Sequence, residues 1–205
     1  MQGATMLDDT RRRLLFGAIA GAAAVPMIEG VAAAQGRPSE PRQGWASKDG
    51  AIKLRTPATV QATADPMAYL LIHEAFARYG IAHDEVAIPV LTALFTDDAV
   101  LEVAKGNGKP FQTVRGGKAI VANFANVLSQ QRDQRRHCFS NIVIERLSGD
   151  AADAIAYGLV SVAADGLILG ATVVYNASLR RVGGHWRFSR LFIGMDDYTT
   201  PPPKV

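Results

Sequence analysis

Three side chains in the middle of the sequence are of types that can take part in proton transfer at neutral pH. Tyr79 and Asp84 lie close together in the chain, and His137 follows later. An imidazole ordinarily titrates at about pH 6.5, and a neighbouring carboxylate orients the ring and favours its charged form. Such a pair is suited to taking a proton from a carbon beside a carbonyl group, a step that needs no cofactor.

His137 lies in residues 135–147, where β-branched and aromatic residues predict a long strand. Side chains alternate along a strand, so Phe139 and Asn141 are placed on the face of His137, and Cys138 on the other. A face that mixes polar and apolar groups is typical of a pocket wall, so Phe139 and Asn141 are predicted to contact a ligand. In the alternative interpretation, His137 caps the strand in solvent and Asn141 bonds nearby backbone.

Three helices are predicted ahead of this strand. Asp65 and Pro66 form the cap and first turn of a helix that ends near residue 82. Pro89 suits the first turn of a second helix, and Gly116 and Gly117 open a third.

Short strands are predicted near residues 99–104 and 111–114, and four longer ones follow the third helix. Their joints, Ser-Gly-Asp, Ala-Asp-Gly and Gly-Gly, are typical of hairpins and predict antiparallel neighbours. Helices followed by a meander predict an α+β domain. We expect a cone-shaped barrel, in which a strongly curved, mainly antiparallel sheet packs on the three N-terminal helices.

The order of these elements and several local patterns resemble the nuclear transport factor 2-like superfamily. Within it, the chain resembles the SnoaL-like group, which includes polyketide cyclases and is similar to scytalone dehydratase. The resemblance covers about residues 65–197. It rests on residues 79–84, 94–100, 115–120 and 184–188, and on His137 with Asn141.

The resemblance implies a pocket inside the cone and a set of side chains that line it. The family's tyrosine, aspartate and histidine match Tyr79, Asp84 and His137. This match implies that His137 is the base, that Asp84 supports it and that Tyr79 binds the substrate oxygen. His83 stands where scytalone dehydratase has a tyrosine, and His83 and Tyr157 are expected to contact the substrate. The implied activity is that of a dehydratase, cyclase or isomerase acting on a small hydrophobic carbonyl compound without a cofactor.

Two other functions stay open on the same fold. One is a non-catalytic periplasmic domain that binds a small molecule or takes part in an assembly, because a fold does not determine function. The other is a mononuclear metal site formed by His83, Asp84 and His137, since imidazole and carboxylate suit zinc or iron. The spacing matches none of the usual metal motifs, so no metal is expected.

Composition and charge limit the remaining classes. The chain has 205 residues, 48% of them hydrophobic, which suffices for one domain with accessory segments. The formal net charge of +3 is too small to indicate nucleic-acid binding. The single cysteine, Cys138, cannot form an internal disulfide and is interpreted as a small buried hydrophobe.

The N-terminus has the features of an export signal. Residues 11–13 are arginines, residues 16–28 are mainly apolar and residues 32–34 are alanines. This order predicts a secretory signal, and the paired arginines indicate the twin-arginine route. Because the apolar run is shorter than the roughly 20 residues of a spanning helix, residues 1–34 are interpreted as a cleaved signal peptide. The mature protein is then periplasmic or secreted, with no membrane span.

The rest of the chain divides into three parts. Residues 35–64 are rich in Gly, Pro, Ser, Thr and charge, which predicts a flexible leader. Residues 65–197 form the domain and residues 198–205 a tail.

The convex face of the sheet is expected to mediate a homodimer, because it would otherwise expose an apolar patch. The residues assigned to this face are Cys138, Ile142, Ile144, Ala154, Ala156 and Val160.

Replacing Arg11 and Arg12 by Lys should trap the precursor in the cytoplasm, because the twin-arginine route depends on the paired arginines. Cell fractionation followed by immunoblotting measures the distribution. Normal export of this variant would contradict the twin-arginine assignment.

Overall fold

The computed structural model describes residues 44–48, 50–54, 56 and 65–198. The predicted signal peptide lies outside these ranges, as does the predicted tail beyond residue 198. Four helices occur in the described part of the chain: α1 (Trp45–Lys48), α2 (Pro66–Asp84), α3 (Ile88–Leu94) and α4 (Gly117–Gln130). Over the same residues, no helix is long and apolar enough to cross a membrane.

Helix α2 begins as predicted and ends later than predicted. The side chain of Asp65 accepts a hydrogen bond from the backbone N–H of Ala68 at 2.9 Å, and Pro66 occupies the first turn. The helix continues to Asp84. Asp84 is therefore held by a helix rather than by a loop.

The described strands form one six-stranded sheet. They are β1 (Phe95–Lys105), β2 (Gln112–Arg115), β3 (Gln134–Ser148), β4 (Ala151–Ala163), β5 (Leu167–Val182) and β6 (His185–Tyr198). Their order across the sheet is β2-β1-β6-β5-β4-β3. β1 and β6 are parallel and the other neighbours are antiparallel. The prediction of an α+β domain with a curved, mainly antiparallel sheet is confirmed, and the sheet is open, with β2 and β3 at its edges.

Aromatic rings occupy much of the space between the inner face of the sheet and helices α2, α3 and α4. Tyr79 of α2 lies 6.0 Å from Phe188 of β6 and 6.0 Å from Phe124 of α4, measured between ring centroids. Trp186 and Phe188 are buried beneath the helices. Burial of these large apolar surfaces is the main stabilising term of the domain.

A bulge in β3 changes which of its side chains face the core. Asn141 and Ile142 together oppose a single residue of β4, and Asn141 has a φ of 52°. Beyond the bulge the alternation is shifted by one residue, so Ile144 lies in the core and Val143 packs on the outer face. The prediction that Asn141 shares the face of His137 was wrong, because uninterrupted alternation was assumed.

Most of the residues assigned to the convex face also lie elsewhere. Ile144, Ala154, Ala156 and Val160 are buried in the core, because the pairing of β3 with β4 turns them towards the helices. Cys138 does lie opposite to the face of His137, but it is exposed rather than buried.

Part of the segment before α2 packs on the outer face of the sheet. Ala46 of α1 and Ile52 are buried against Ile155 and Val174. The side chain of Asn176 donates a hydrogen bond to the carbonyl oxygen of Ala51 at 2.6 Å. Within residues 44–54, apolar side chains therefore contribute to the packing of the domain.

Gly117 opens α4 where this helix touches the backbone of β1. A Cβ atom at Gly117 would lie 2.5 Å from the carbonyl oxygen of Thr96, so Gly117→Ala should push the helix from the strand. We expect a loss of about 1–3 kcal/mol in the free energy of unfolding, measured by urea denaturation. Gly44→Ala is the control, because nothing lies within 4 Å of an added methyl group there. Equal stabilities of the two variants would contradict this assignment.

Candidate active site

The carboxylate of Asp84 binds His137 at two points. Oδ2 accepts a hydrogen bond from the backbone N–H of His137 at 2.7 Å, and Oδ1 lies 2.5 Å from Nδ1 of the ring. A carboxylate can only accept, so Nδ1 carries the proton and donates it. Nε2 of His137 then holds the lone pair, and it makes no hydrogen bond to the described residues. This is the arrangement of a general base with an orienting carboxylate.

Further contacts join the C-terminal end of α2 to the beginning of β3. Arg136 pairs with Glu85 at 2.6 Å, and the side-chain amide of Gln134 donates to the backbone oxygen of Asp84 at 3.4 Å. The ion pair is exposed, so it contributes little stability. On the surface, it joins the same two segments that the buried carboxylate of Asp84 joins inside, namely the end of α2 and the beginning of β3.

Gly80 allows α2 to approach β3 closely. A Cβ atom at Gly80 would lie 3.0 Å from the ring of Phe139 and 3.2 Å from Cβ of His137. The absence of a side chain thus lets Asp84, one turn further along the helix, reach the histidine. The side chains of Asp84 and His137 are only 5% and 11% exposed, which strengthens their interaction by excluding water.

His83 packs against His137 from the inner side of the helix. The two ring centroids are 4.8 Å apart, and Nδ1 of His83 is buried without a hydrogen-bond partner. Burial lowers the pKa of His83 from 6.5 to about 3, and positive charge on a protonated His137 or on Arg135 acts in the same direction. His83 is therefore neutral at physiological pH.

Tyr79 belongs to the same group but is enclosed. It is 2% exposed, and its ring centroid lies 6.0 Å from that of His83 and 6.5 Å from that of His137. Burial raises the pKa of Tyr79, and the negative charge of Asp84 adds to this, so the hydroxyl stays protonated. The predicted trio of Tyr79, Asp84 and His137 is thus brought together, with Tyr79 in a packing position.

The other residues that were predicted to contact a ligand do not all lie on the same face of the sheet. Phe139 packs beside the site, with its ring centroid 6.0 Å from that of Tyr79. Tyr157 is 44% exposed and pairs with Ser140 on the outer face. Asn141 is exposed in the bulge. The structure does not bring Tyr157 or Asn141 to His137.

Tyr175 of β5 is a buried hydroxyl group that the sequence analysis missed. Its ring centroid lies 4.8 Å from that of Phe139 and 6.4 Å from that of Tyr79. Burial raises the pKa of Tyr175 well above its usual range, with smaller effects of Tyr79 and Asp84. Alternation along β5 was the available signal, because its buried positions include Val173, Tyr175, Ala177 and Leu179.

A groove with a volume of about 420 Å³ lies between α2 and β3 and reaches His137. Its walls are largely apolar, and His73 and Glu74 supply polar groups from one part of the helix. The volume falls within the range of about 300–1,000 Å³ usual for small-molecule sites. Its apolar lining residues are Ala77, Ile81, Phe139 and Ile142.

A metal ion fits the described geometry less well than proton transfer does. The potential ligand atoms of His83, Asp84 and His137 lie within 4.8 Å of one another. However, Nδ1 of His137 and Oδ1 of Asp84 are already at hydrogen-bond distance, 2.5 Å. An ion bound to both would have to separate this pair.

Comparison with known proteins gives a family and a fold. A match to the SnoaL-like domain family covers residues 67–191, which include Tyr79, Asp84 and His137. A comparison with curated protein sequences finds no match.

Several solved structures share the fold. A protein of unknown function with a cystatin-like fold from Nostoc punctiforme is 23% identical, with 69% of this chain and 98% of that chain covered and a TM-score of 0.57. The β subunit of an aromatic-ring-hydroxylating dioxygenase from Novosphingobium aromaticivorans is 22% identical, with 69% and 97% covered and a TM-score of 0.60. A hexachlorocyclohexane dehydrochlorinase is 23% identical, with 68% and 96% covered and a TM-score of 0.56. At sequence identities of 22–23%, these structural similarities establish the fold alone.

The buried neutral state of His83 predicts a pH dependence of stability. The unfolded chain binds a proton at His83 below about pH 6.5, whereas the folded chain does so only near pH 3, so acid favours unfolding across this window. Relative to His83→Phe, the wild type should lose about 1–2 kcal/mol more between pH 7.5 and pH 5, measured by urea denaturation. Carboxylates titrate in both proteins and largely cancel in the difference. A constant difference over this range would contradict the burial of neutral His83.

Proposed function

Because this chain belongs to the SnoaL-like domain family, we propose that it is an exported, cofactor-independent lyase or isomerase acting on a small hydrophobic carbonyl compound. His137 is the general base, and Asp84 orients it. The observation that carries this proposal is the double hydrogen bond between Asp84 and His137, which leaves Nε2 as the basic atom.

The chemical step uses only groups of the protein and the substrate. Nε2 of His137 takes a proton from the carbon beside the carbonyl, the electron pair of that C–H bond forms a C=C bond, and the carbonyl π pair moves to oxygen. Asp84 stays ionised and stabilises the imidazolium that forms. Return of the proton to another carbon gives isomerisation. In a β-hydroxy ketone, the oxygen pair instead re-forms the carbonyl and the enolate C=C pair forms a new C=C bond to the β carbon. The hydroxyl group leaves with the C–O electron pair and takes the proton from His137, which gives dehydration with release of water.

The groove beside His137 supports the hydrophobic class of substrate. Apolar walls and a few polar groups are typical of sites for small, largely apolar molecules. The similarity in fold to a hexachlorocyclohexane dehydrochlorinase also fits, because removal of hydrogen chloride from a saturated carbon requires a base to take a proton.

A second candidate is a non-catalytic binding or assembly domain. It is favoured by the fold shared with the β subunit of a dioxygenase. It is also favoured by the rings that occupy much of the interior around Tyr79. This candidate predicts ligand binding without turnover, and it gives the Asp84–His137 pair a structural role only.

Hydrogen exchange on a simple ketone distinguishes the two candidates. 2-Tetralone, a small bicyclic ketone, is incubated with the protein in heavy water, and deuterium uptake beside its carbonyl is followed by proton NMR. His137→Ala should slow the protein-catalysed exchange by about 10²–10⁴-fold, the usual contribution of a general base. Asp84→Asn should also slow it, because the amide no longer supplies a charged acceptor for Nδ1–H.

His185→Ala is the matched control, because His185 is exposed at the beginning of β6 and far from the site in sequence. It should exchange at the wild-type rate. Circular dichroism verifies that each variant is folded. Exchange by the wild type that is no faster than by His137→Ala would favour the binding domain and overturn the assignment of His137.

A further inference from the structure

The outer face of the sheet has a gap that an indole ring fills. Tyr157, Val174 and Gly194 stand in one row across three strands, and Gly194 has no side chain to continue this row. A Cβ atom at Gly194 would lie only 2.6 Å from Cη2 of Trp45, so the indole occupies the space that a side chain would need. Nε1 of Trp45 also donates a hydrogen bond to the carboxylate of Asp196. Both the shape of the gap and a polar contact therefore hold the tryptophan.

A side-chain amide on β5 binds the main chain of the segment that contains Trp45. The amide of Asn176 donates to the carbonyl oxygen of Ala51 at 2.6 Å. Its own oxygen accepts a hydrogen bond from Arg190 at 3.4 Å, and Arg190 pairs with Glu102 at 2.7 Å. These contacts orient the amide so that its N–H group faces the segment. Hydrogen bonds to the main chain, combined with pockets for side chains, are the usual basis of peptide recognition.

The docked segment is separate from the main core. Its buried side chains, Ala46 and Ile52, pack on Ile155 and Val174 in a small cluster of their own. Among the described residues, the core between the sheet and the helices includes no side chain of residues 44–54. The segment can therefore leave the outer face without opening this core, and segments with few buried contacts open at low free energies.

We propose that the outer face of β5 and β6 is a peptide-binding site, which residues 44–54 of the same chain occupy and which also accepts this segment from a second copy. The ligand is a peptide with an indole that donates a hydrogen bond and an aliphatic side chain seven residues later, as in Trp45 and Ile52. The site lies on the face of the sheet opposite to His137, so this inference does not depend on the proposed function.

Three features favour a second copy as the partner. Each copy carries both the segment and the site, so exchange between copies needs no new type of contact. The connection from Thr56 to Asp65 can span at most about 30 Å, which is enough to reach a neighbouring molecule. Tyr157 and Leu159, beside the site, are 44% and 48% exposed, and a copy that delivers its segment can cover them.

Binding of a synthetic peptide tests the site. Trp45→Ala combined with Ile52→Asp in the full chain should release its own segment, because the indole is lost and a charge replaces a buried side chain. A fluorescein-labelled peptide of residues 43–56 should bind this opened chain, as measured by fluorescence anisotropy. Trp45→Ala in the peptide should weaken binding by about 30-fold or more, the usual effect of truncating a tryptophan at the centre of an interface.

Asn176→Asp isolates the contribution of the amide. Aspartate keeps the size of the side chain and can still pair with Arg190, but it cannot donate to a peptide carbonyl. In the opened chain it should weaken peptide binding by about tenfold or more, because the carbonyl oxygen loses its donor. Asn126→Asp makes the same change at an exposed position of α4 and should leave binding unchanged. Circular dichroism verifies that each chain is folded.

The wild type provides a measurement that does not depend on the opened chain. It should bind the labelled peptide more weakly, by about tenfold or more, because its own segment competes at a high effective concentration. Unlabelled peptide of residues 43–56 should displace the label. The same peptide with Trp45→Ala should not.

Mixing two complementary chains tests the exchange between copies. The opened chain offers a free site, and the chain with Asn176→Asp offers a loosened segment. Their mixture should contain a larger species that neither chain forms alone, as measured by sedimentation velocity.

Three results would overturn parts of this inference. A peptide that binds neither the opened chain nor the wild type overturns the site. Binding that is unaffected by Trp45→Ala in the peptide and by Asn176→Asp in the chain also overturns it, because the peptide then lies elsewhere. Peptide binding without association of the complementary chains overturns the second copy as the partner. None of these results bears on hydrogen exchange by His137.

Discussion

The hydrogen bonds between Asp84 and His137 fix the position of strand β3 and the orientation of the imidazole ring. One carboxylate oxygen accepts from the backbone of β3, and the other accepts from the imidazole. The first bond sets where the strand lies along α2, and the second sets the direction of the ring. The end of the helix, the start of the strand and the basic nitrogen therefore cannot shift independently. Gly80 favours this close approach, because a Cβ atom at that position would lie only 3.0 Å from the ring of Phe139 and 3.2 Å from Cβ of His137.

On the inner side of the Asp84–His137 pair, the packing that stabilises the core conflicts with the presence of a polar group. The rings of Tyr79, Phe124 and Phe139 form a dense apolar shell that strengthens the buried interaction of Asp84 with His137. The same shell makes a polar neighbour costly, and His83 is such a neighbour, held neutral by its surroundings. Residues that oppose the local packing preference are expected mainly where a protein binds or transforms another molecule.

Local sequence signals were sufficient for most of the elements and for the central pair. The cap at Asp65 and the apolar spacing placed α2, and the resemblance of residues 79–84 to a known family brought Asp84 to His137. Alternation failed after Ser140, because one extra residue in β3 reverses the side chains from there to a second irregularity between Ile144 and Arg146. Asn141 was the available sign, since asparagine adopts positive φ more readily than most residues. The parallel pairing of β1 with β6 depends on contacts distant in sequence, which no local pattern of Phe95 or its neighbours encodes.

That parallel pairing has a consequence for how the protein is made. β1 joins β2 to the rest of the sheet only through β6, the last strand of the domain. During synthesis, the β1–β2 hairpin and the β3–β4–β5 meander can each form early, but they cannot be joined until β6 has left the ribosome. Contacts between such distant segments slow folding, because a long loop must close before they are made. Until β6 is available, the nascent chain therefore carries two unjoined sheet fragments, each with open strand edges.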